Sequence, residues 1–307
     1  MFDFKEMKVF FRGNYVPYSE AQLSIANTGF IYGLGIFTGM RAHYNEQQKK
    51  LFVFRIKEHF ERFRNACKLC HYDHFLASYD EKKFGEMILG LLRENNLAED
   101  AYIRITNFSD EETITPKFLY KDSLCAYLYP LGNYISTSGV KCMVSSWVRV
   151  EDNALPARAK FTGAYINTAF AKTDAIKHGY DDAIFLDSRG HVVEGSAANL
   201  FLVMNGQLIT PPVTDNILEG ITRGSVMEIA RDEGIPVIER TIDRTELYKA
   251  DEAFLCGTGV QVAPVTQIDT YAVGNGAVGP VAKKLQALYF DVVRGRVDKY
   301  QRWLTQV

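Results

Sequence analysis

The sequence predicts an α+β fold in two domains. The chain has 307 residues, which is enough for two domains of ordinary size, each with its own hydrophobic core. Stretches with the period of strands and stretches with the period of helices both occur along its whole length. Residues 130–139, Pro-Leu-Gly-Asn-Tyr-Ile-Ser-Thr-Ser-Gly, have the composition of a linker. We therefore expect a small N-terminal α/β domain over 1–132, a linker over 133–142 and a large C-terminal domain over 143–307.

The composition narrows the class of protein. Hydrophobic residues make up 47% of the chain and charged residues 23%, and the formal net charge is −2. These values exclude disordered and fibrous classes, and they give no electrostatic reason to expect nucleic acid or an anionic membrane as a partner. Residues 1–6 do not begin a signal peptide, and no stretch approaches the length of a spanning helix. We expect a cytoplasmic protein.

The five cysteines are scattered and odd in number, so we expect them to be reduced. Cys67-Lys-Leu-Cys70-His71 matches the haem-attachment pattern in letters, which leaves a haem or metal module as a non-enzymatic alternative. Apolar residues over 56–70 recur with the period of a helix and place both cysteines on its buried face. The sequence therefore favours core cysteines and no metal site.

Three features of the N-terminal half are candidates for the fold or for a site. Residues 9–17 indicate a β-hairpin with Gly13-Asn14 as its turn, and a second helix is expected over 81–95. In the first helix, His59 and Arg62 are three apart and share a face; Arg62 is either a surface charge or an anion ligand. Along 101–107, Tyr102, Arg104 and Thr106 alternate with isoleucines, either towards solvent or as the polar wall of a pocket.

Lys160 is the candidate nucleophile of the C-terminal half. It follows a strand-like run over 142–150 and a proline-containing loop, and it precedes a helical pattern that begins near Ala164. A lysine beside Phe161 and Tyr165 can be partly desolvated, which favours the neutral amine and Schiff-base chemistry. The alternative interpretation is a solvated loop lysine.

Other signals downstream suit a phosphate and a cationic nitrogen. Gly220-Ile221-Thr222 begins a helix, where free backbone amides and the helix dipole favour an anion, although an ordinary helix cap has the same letters. Gly257-Thr258-Gly259 offers a second set of amides at a strand end. Glu194, at another strand end, is either solvated or the partner of a buried cationic nitrogen. A lysine for an aldehyde, these anion sites and Arg62 for a phosphate, and a carboxylate for a protonated pyridine nitrogen together describe one cofactor.

The order of motifs resembles the fold-type IV pyridoxal-phosphate enzymes, and within them the branched-chain-amino-acid aminotransferases. The matching segments are Tyr32-Gly-Leu-Gly-Ile-Phe37-Thr-Gly39-Met-Arg41, Glu58-His-Phe-Glu-Arg62, Ala101-Tyr-Ile-Arg104, Val144-Ser-Ser-Trp147, Ala159-Lys160, Tyr165, Glu194-Gly195, Asn199-Leu-Phe201, Gly220-Ile-Thr-Arg223 and Gly257-Thr258. The resemblance implies a two-domain fold like that of D-amino-acid aminotransferase, with the cofactor between the domains. It also implies an enzyme of branched-chain amino acid biosynthesis that is at least a homodimer.

The resemblance also implies roles for individual residues. Lys160 forms the internal aldimine and shuttles the proton, Glu194 pairs with the pyridine nitrogen and Tyr165 bonds the ring oxygen. The phosphate and the rest of the cofactor are held by Arg62, Leu218, Gly220, Ile221, Thr222 and Thr258. The substrate pocket is lined by Tyr32, Phe37, Arg41, Tyr102, Arg104, Tyr134, Thr258 and Gly259. Arg104 would bind the side-chain carboxylate of glutamate in a pocket otherwise aromatic enough for leucine, isoleucine or valine.

Two departures from the family pattern bear on the substrate. Thr38 stands where these enzymes usually have glutamate, and residues 109–116 lack their glycine-rich sequence. The main expectation is transamination of branched-chain L-amino acids with 2-oxoglutarate. The alternatives on the same scaffold are an (R)-selective primary-amine:pyruvate transaminase or broad-range variant, motivated by Thr38, and an aminodeoxychorismate lyase.

Overall fold

The computed structural model describes residues 4–118, 121–132, 136 and 138–307. These residues divide into two compact units. The first unit comprises Met1–Gly132, Ala159–Gly163 and Val292–Val307, and the second comprises Asn133–Arg158 and Ala164–Asp291. Two segments from the C-terminal half of the sequence therefore belong to the first unit: Ala159–Gly163, which carries Lys160, and Val292–Val307. The domain limits given above remain a prediction.

Helices and strands are distributed over both units. The helices are α1 (Thr28–Tyr32), α2 (Ile56–Leu69), α3 (Asp73–Ser78), α4 (Glu81–Asn95), α5 (Tyr165–Lys177), α6 (Ile221–Asp232) and α7 (Pro280–Val293). The strands are β1 (Lys8–Phe11), β2 (Asn14–Pro17), β3 (Gly35–Asn45), β4 (Lys50–Phe54), β5 (Ala101–Ser109), β6 (Asp122–Pro130), β7 (Val140–Val148), β8 (Asp182–Leu186), β9 (Val192–Gly195), β10 (Asn199–Met204), β11 (Gln207–Thr210), β12 (Val237–Glu239), β13 (Glu252–Gly257), β14 (Gln261–Ile268), β15 (Tyr271–Ala272) and β16 (Leu304–Gln306).

The first unit contains an antiparallel seven-stranded sheet in the order β16-β4-β3-β5-β6-β1-β2. Its central strands present apolar side chains on one face, among them Ile36, Met40, Ile103 and Ile105, and these side chains are fully buried. α2 and α4 contribute the buried aromatic and aliphatic residues that their helical periods predict. The two predicted helices are confirmed, α4 with the bounds expected from the sequence.

The N-terminal hairpin is confirmed, but its turn is one residue earlier than predicted. β1 and β2 pair Phe11 with Asn14, so Arg12 and Gly13 form the turn. Both have positive φ, 50° and 93°, as a two-residue type I′ turn requires. Arg12 adopts this conformation with its guanidinium held by two hydrogen bonds to Asp110, at 2.7 and 2.6 Å. The turn at Arg12 is thus accompanied by a contact with Asp110, which is distant in the sequence. The local sequence pattern had placed the turn one residue later.

The second unit contains a mixed nine-stranded sheet. Its order is β12-β11-β10-β13-β14-β7-β8-β9, with β15 attached to β14. The β11–β12, β14–β7 and β7–β8 pairs are parallel, and the others are antiparallel. A cluster of buried aliphatic residues, including Leu200, Leu202, Leu255 and Ile184, forms a core of this unit. α5 packs Ala171 and Ala175 into a second cluster with Phe185 and Val193.

Cys67 and Cys70 lie in the core of the first unit. Both are fully buried, and burial raises the pKa of the Cys70 thiol to about 12 and that of Cys67 further. Buried thiols of raised pKa behave as small apolar side chains. Over the residues that the structure describes, no cluster of metal-ligating side chains occurs. In the same residues no helix has both the length and the hydropathy needed to cross a bilayer.

Candidate cofactor and substrate site

Lys160 lies in a short extended segment that pairs with the beginning of β3. Phe161 forms an antiparallel bridge with Ile36, and the Phe37 amide donates to the Lys160 carbonyl oxygen at 2.9 Å. β4 pairs only with the later residues of β3, so the edge of β3 near Phe37 is open to this segment. Backbone pairing therefore fixes the position of the lysine against a central strand.

Thr162 also attaches this segment to the turn before β3 and to the first residue of that strand. Its hydroxyl donates to the carbonyl oxygens of Gly33 and Gly35, at 2.8 and 3.1 Å. Gly33 has φ 65°, and a Cβ built there would lie 3.0 Å from the Cα of Gly163. Only glycine combines this backbone conformation with so close an approach of two chains. The turn before β3 and the lysine segment are consequently packed backbone to backbone.

The Lys160 side chain is half-buried, and the ring measured beside it is that of Phe37, which the sequence did not indicate as its neighbour. Its Nζ lies 5.1 Å from the centroid of the Phe37 ring. The guanidinium carbon of Arg104 lies 3.2 Å from the same centroid. The ring thus contacts two cations, an arrangement favoured by the negative face of its π system.

Phe37 and Arg104 belong to one face of the first sheet. The register of β3, β5 and β6 gathers on this face Phe37, Gly39, Arg41, Tyr102, Arg104, Thr106, Cys125, Tyr127 and Tyr129. The β5 side chains of this face are half-buried, whereas the isoleucines between them are fully buried. The geometry favours the polar wall over a solvated face. Tyr127 and Tyr129 did not appear among the predicted site residues, although the alternation in β6 could have identified them.

Tyr102 is fitted against a glycine on the neighbouring strand. A Cβ built at Gly39 would lie 2.2 Å from the Tyr102 hydroxyl oxygen. On its other side, the Tyr102 ring lies 5.5 Å from that of Tyr129, centroid to centroid. Gly39 therefore makes room for the tyrosine to lie flat over the sheet.

The remaining predicted pocket residues of the first unit have varied surroundings. Arg41 is only 2% exposed, and its guanidinium donates to the carbonyl oxygens of Leu131 and Gly132, at 2.8 and 2.9 Å. Arg41 thereby holds the chain that leads to Tyr134, which itself lies outside the described residues. Tyr32 ends α1, and its hydroxyl donates to the carbonyl oxygen of Ile114 at 2.6 Å.

Arg62 lies on the opposite face of β3 from Phe37. His59 and Arg62 share a face of α2, as predicted, and this face packs on β3. The Thr38 hydroxyl lies 2.8 Å from Nδ1 of His59 and accepts a hydrogen bond of 3.4 Å from Nη2 of Arg62. His59 is buried, and its pKa is lowered well below the usual value by burial and by the positive charges of Arg62, Arg55 and Lys160. The imidazole is therefore neutral at neutral pH.

Glu194 is the buried carboxylate of the second unit. It is 5% exposed, at the end of β9. Its Oε1 lies 2.9 Å from Nη2 of Arg149. Its Oε2 accepts hydrogen bonds from the side-chain amide of Asn199 and the backbone amide of Leu218, at 3.0 and 3.2 Å. Three donors hold an ionised carboxylate in one orientation, as a partner for a cationic nitrogen requires.

Asn199 connects this carboxylate to the turn before α6. Besides Glu194, its amide nitrogen donates to the carbonyl oxygen of Leu218 at 2.9 Å. Its amide oxygen lies so close to Gly220 that a Cβ built there would be 2.0 Å away. Sequence reasoning quoted Asn199 as a motif residue but gave it no function, and it missed Arg149. The sequence carries no local signal for Arg149, since Arg149 follows β7 and Glu194 belongs to β9, which are distant in the chain.

The N-terminus of α6 has the features expected of an anion site. Gly220 is its N-cap, and no side chain caps the helix. Thr222 is buried, whereas Ile221 is partly exposed. The first amides of a 12-residue helix and its dipole favour a negative charge at this position. Leu218, Gly220, Ile221 and Thr222 lie in and just before the first turn of this helix, and their role in binding the cofactor remains a prediction.

Tyr165, Thr258 and Gly259 also belong to the second unit. Tyr165 is the first residue of α5, and the Thr168 hydroxyl one turn later donates to the carbonyl oxygen of Ser196 at 2.8 Å. This bond ties the helix of Tyr165 to the turn that follows Glu194. Thr258 and Gly259 are half-buried in the turn between β13 and β14.

Comparisons with known proteins give the same family. Residues 35–268 match the model of the amino-transferase class IV family. A probable branched-chain-amino-acid aminotransferase of Aquifex aeolicus is 44% identical over 301 residues, which are 97% of this chain and 96% of that protein.

Solved structures are similar over nearly the whole chain. The branched-chain aminotransferase of Thermoproteus uzoniensis, solved with norvaline, has a TM-score of 0.92 and 38% identity, covering 98% of this chain and 99% of its own. A branched-chain amino acid aminotransferase of T.th., complexed with N-(5'-phosphopyridoxyl)-L-glutamate, has a TM-score of 0.92 and 34% identity, covering 99% of both chains. The chain belongs to the class IV aminotransferases and, within them, to the branched-chain-amino-acid aminotransferase family.

Proposed function

We propose that the protein is a pyridoxal-phosphate-dependent transaminase that exchanges amino groups between branched-chain L-amino acids and 2-oxoglutarate. The observation that carries the proposal is the placing of the Arg104 guanidinium and the Lys160 amine on the ring of Phe37. An aromatic wall suits the side chain of leucine, isoleucine or valine, and the arginine suits the side-chain carboxylate of glutamate. The relative complexed with a phosphopyridoxyl-glutamate supports both the cofactor and the amino-group acceptor.

The residues of this chain fit pyridoxal phosphate. The half-buried amine of Lys160 suits its aldehyde, and the uncapped N-terminus of α6 suits its phosphate. The buried carboxylate of Glu194, already held by three donors, suits a protonated pyridine nitrogen. When bound, the cofactor receives the amino group and withdraws electrons from the α-carbon of the substrate.

The protein's own groups then have distinct tasks. Nζ of Lys160 would carry the proton between the substrate α-carbon and the cofactor, in one direction in the first half of the exchange and in the opposite direction in the second half. The carboxylate of Glu194 keeps the proton on the pyridine nitrogen. Arg62, Ile221, Thr222 and Thr258 bind the phosphate, and the Tyr165 hydroxyl orients the ring oxygen. Tyr32, Phe37, Arg41, Tyr102, Tyr134 and Gly259 complete the pocket for the substrate.

The position of Thr38 in the structure removes the reason for considering an amine transaminase. Thr38 motivated it, because the residue departs from the family pattern beside the expected substrate pocket. Its hydroxyl, however, contacts His59 and Arg62, and adjacent residues of a strand point to opposite faces. The face that carries Phe37 and Arg104 is therefore unaffected by the departure.

A homodimer is part of the same proposal. In the first unit Ile25, Phe30 and Ile114 are 86%, 67% and 87% exposed. Single exposed apolar side chains are common, but the bridge between Asn27 and Glu112 brings the segments of these three together. Such a surface suits burial against a second copy. The oligomer would be checked by sedimentation of the wild type and of Phe30→Asp.

The function is tested by the visible spectrum of the purified protein before and after addition of L-leucine. We expect a band of the lysine-bound cofactor that L-leucine converts to that of the aminated cofactor. In Lys160→Ala we expect neither, and turnover lower by about 10³-fold or more, since the proton carrier is gone. Lys177→Ala, which removes an exposed lysine of α5, is the matched control and should behave as wild type.

Three results would count against the proposal. A band that responds only to a primary amine would retain the cofactor and reject the substrates. Release of pyruvate from aminodeoxychorismate without an amino acceptor would indicate the lyase. A protein that binds no pyridoxal phosphate would reject the site as a whole.

A further inference from the structure

The side chain of Thr38 is buried between β3 and α2. It is 1% exposed, and its hydroxyl contacts two side chains of α2, Nδ1 of His59 at 2.8 Å and Nη2 of Arg62 at 3.4 Å. Thr38 differs from the glutamate usual in the family. The three residues therefore form a polar group on the face of β3 that also carries the buried side chains of Ile36 and Met40. The sequence shows only the isolated substitution at Thr38.

The chemistry of the three groups fixes the direction of one of their two hydrogen bonds. A guanidinium can only donate, so the Thr38 oxygen accepts from Arg62. Towards Nδ1 of the neutral imidazole, the same hydroxyl donates or accepts according to the tautomer of His59. A protonated imidazole would instead bring a second cation next to the guanidinium. The Thr38 hydroxyl thus connects Arg62 to His59.

The hydrogen bond between Arg62 and Thr38 is long, which indicates how strongly the hydroxyl attracts the guanidinium. At 3.4 Å it is near the upper limit for a hydrogen bond, so it orients the guanidinium without a strong attraction. The hydroxyl adds no negative charge at this contact, as a carboxylate would. An arginine oriented by a neutral acceptor retains its attraction for a phosphate.

We propose that Thr38 and His59 are positioning residues for Arg62, and that through it they set the affinity of the protein for the phosphate of its cofactor. The inference rests on the proposed function, in which Arg62 binds that phosphate. It explains how this chain accommodates threonine at a position where its family usually has glutamate. It assigns Thr38 to cofactor binding and not to the choice of substrate.

The test compares two ligands that differ only in the phosphate. The full-length protein is dialysed to equilibrium against pyridoxal phosphate and, in parallel, against pyridoxal. In Thr38→Val we expect the affinity for pyridoxal phosphate to fall about tenfold, because the guanidinium of Arg62 loses the group that orients it towards the phosphate. The affinity for pyridoxal should remain unchanged, and Thr38→Ser, which keeps the hydroxyl, should restore wild-type binding.

A second pair of variants tests the histidine. His59→Asn places a side-chain amide, which can donate or accept, close to the position of Nδ1, whereas His59→Leu removes the hydrogen-bonding partner of the Thr38 hydroxyl. We expect the first to bind pyridoxal phosphate as the wild type does and the second to resemble Thr38→Val. Equal losses for both ligands in Thr38→Val and His59→Leu would mean that the group merely supports the fold, and would overturn the proposal.

Arg62→Ala separates this inference from the function on which it rests. If Arg62→Ala loses phosphate-dependent affinity and Thr38→Val does not, the positioning role is wrong and the proposed function stands. If Arg62→Ala binds both ligands like the wild type, Arg62 is not a phosphate ligand, and the proposal is overturned with that part of the proposed function. Parallel losses in Arg62→Ala and Thr38→Val support both.

Discussion

The two units hold their charged site residues in different ways. In the first unit, the contacts described for the three arginines of the candidate site are with neutral groups: Arg104 with the ring of Phe37, Arg41 with two carbonyl oxygens and Arg62 with the Thr38 hydroxyl. In the second unit, Glu194 is held by an ion pair with Arg149 and by two amides. The first unit therefore orients its cations without adding negative charge at these contacts, whereas the second balances a buried charge directly.

The difference indicates how each unit should respond to substitution. A buried ion pair costs little while intact and much when one partner is lost, because the other charge remains buried. When a neutral hydroxyl or ring that orients a cation is removed, the cation loses its fixed orientation, but no opposite charge is left without a partner. We therefore expect substitutions in the Glu194 network to reduce stability, and substitutions around Arg62 to reduce mainly ligand affinity.

The largest effect is expected for Glu194→Gln. The change keeps the shape of the side chain but leaves the charge of Arg149, whose side chain is 13% exposed, without its ionised partner. We expect the free energy of unfolding to fall by about 3 kcal/mol, as measured by chemical denaturation. The control is Glu86→Gln, which breaks an exposed pair with Lys82 and should cost roughly 0.5 kcal/mol or less. Equal losses in the two variants would remove the contrast between the units.

A smaller effect is expected for Gly220→Ala. The added methyl group would lie 2.0 Å from the amide oxygen of Asn199, so the turn or the asparagine must move. We expect a loss of about 1–3 kcal/mol in the free energy of unfolding, typical of overpacking, together with weaker binding of pyridoxal phosphate.

Two variants act as controls for this change. Gly224→Ala lies in the same helix and meets no atom within 4 Å, so it should stabilise the protein by about 0.5–1 kcal/mol. Combining Gly220→Ala with Asn199→Ala removes the clash, and the two changes together should cost less than their sum. Strict additivity would show that the contact between Asn199 and Gly220 is not the cause.

The smallest effect is expected in the pH dependence of stability, which the buried histidines of the first unit should dominate. His43 and His59 both lie in the first unit, and burial is the largest cause of the lowered pKa of each. For His43 the carboxylate of Asp100 opposes the shift, and Arg41 and Arg294 add to it. A histidine whose pKa is lowered in the folded state binds fewer protons than in the unfolded state. Its contribution to stability is therefore complete above the unfolded pKa of 6.5 and is lost as the pH falls below that value.

We expect the loss to be about 1.4 kcal/mol per pH unit for each such histidine. It would be followed by denaturation between pH 7 and pH 5. In His43→Phe the slope should decrease by one proton. A slope that stays the same in this variant would assign the pH dependence to other groups.

The sequence predicted those parts of the fold that depend on local patterns. α4 has the predicted bounds because its apolar period is regular and because Asp80 caps its first turn, accepting from the Lys83 amide at 2.8 Å. α3 was missed because its cap is distant: the amides of His74 and Phe75 donate to Asp122, each at 3.0 Å. Likewise, the C-terminal strand β16 pairs with β4, which no local pattern could indicate.

The candidate site shows the same limit. The positions of Lys160, Glu194 and Gly220 followed from residue types that mark a nucleophile, a buried carboxylate and a helix start. The residues that support them, Arg149, Asn199 and Thr38, could not be predicted, because their contacts depend on which strands, loops and helices pack together in the fold. Thr38 was expected to bear on the substrate, since sequence distance alone places it next to Phe37. The alternation of strand faces separates the two.

The pairing of the lysine segment with β3 has a consequence for synthesis of the chain. Thr162 and its acceptor Gly33 are 129 residues apart, so the edge of β3 leaves the ribosome long before the segment that covers it. An open strand edge is a site of unwanted pairing during folding. The reactive amine reaches its place against Phe37 only after the second unit's first strand and the following loop have been made. Lys160 is therefore synthesised after β3, β5 and β6, the strands that form the surface on which its side chain is positioned.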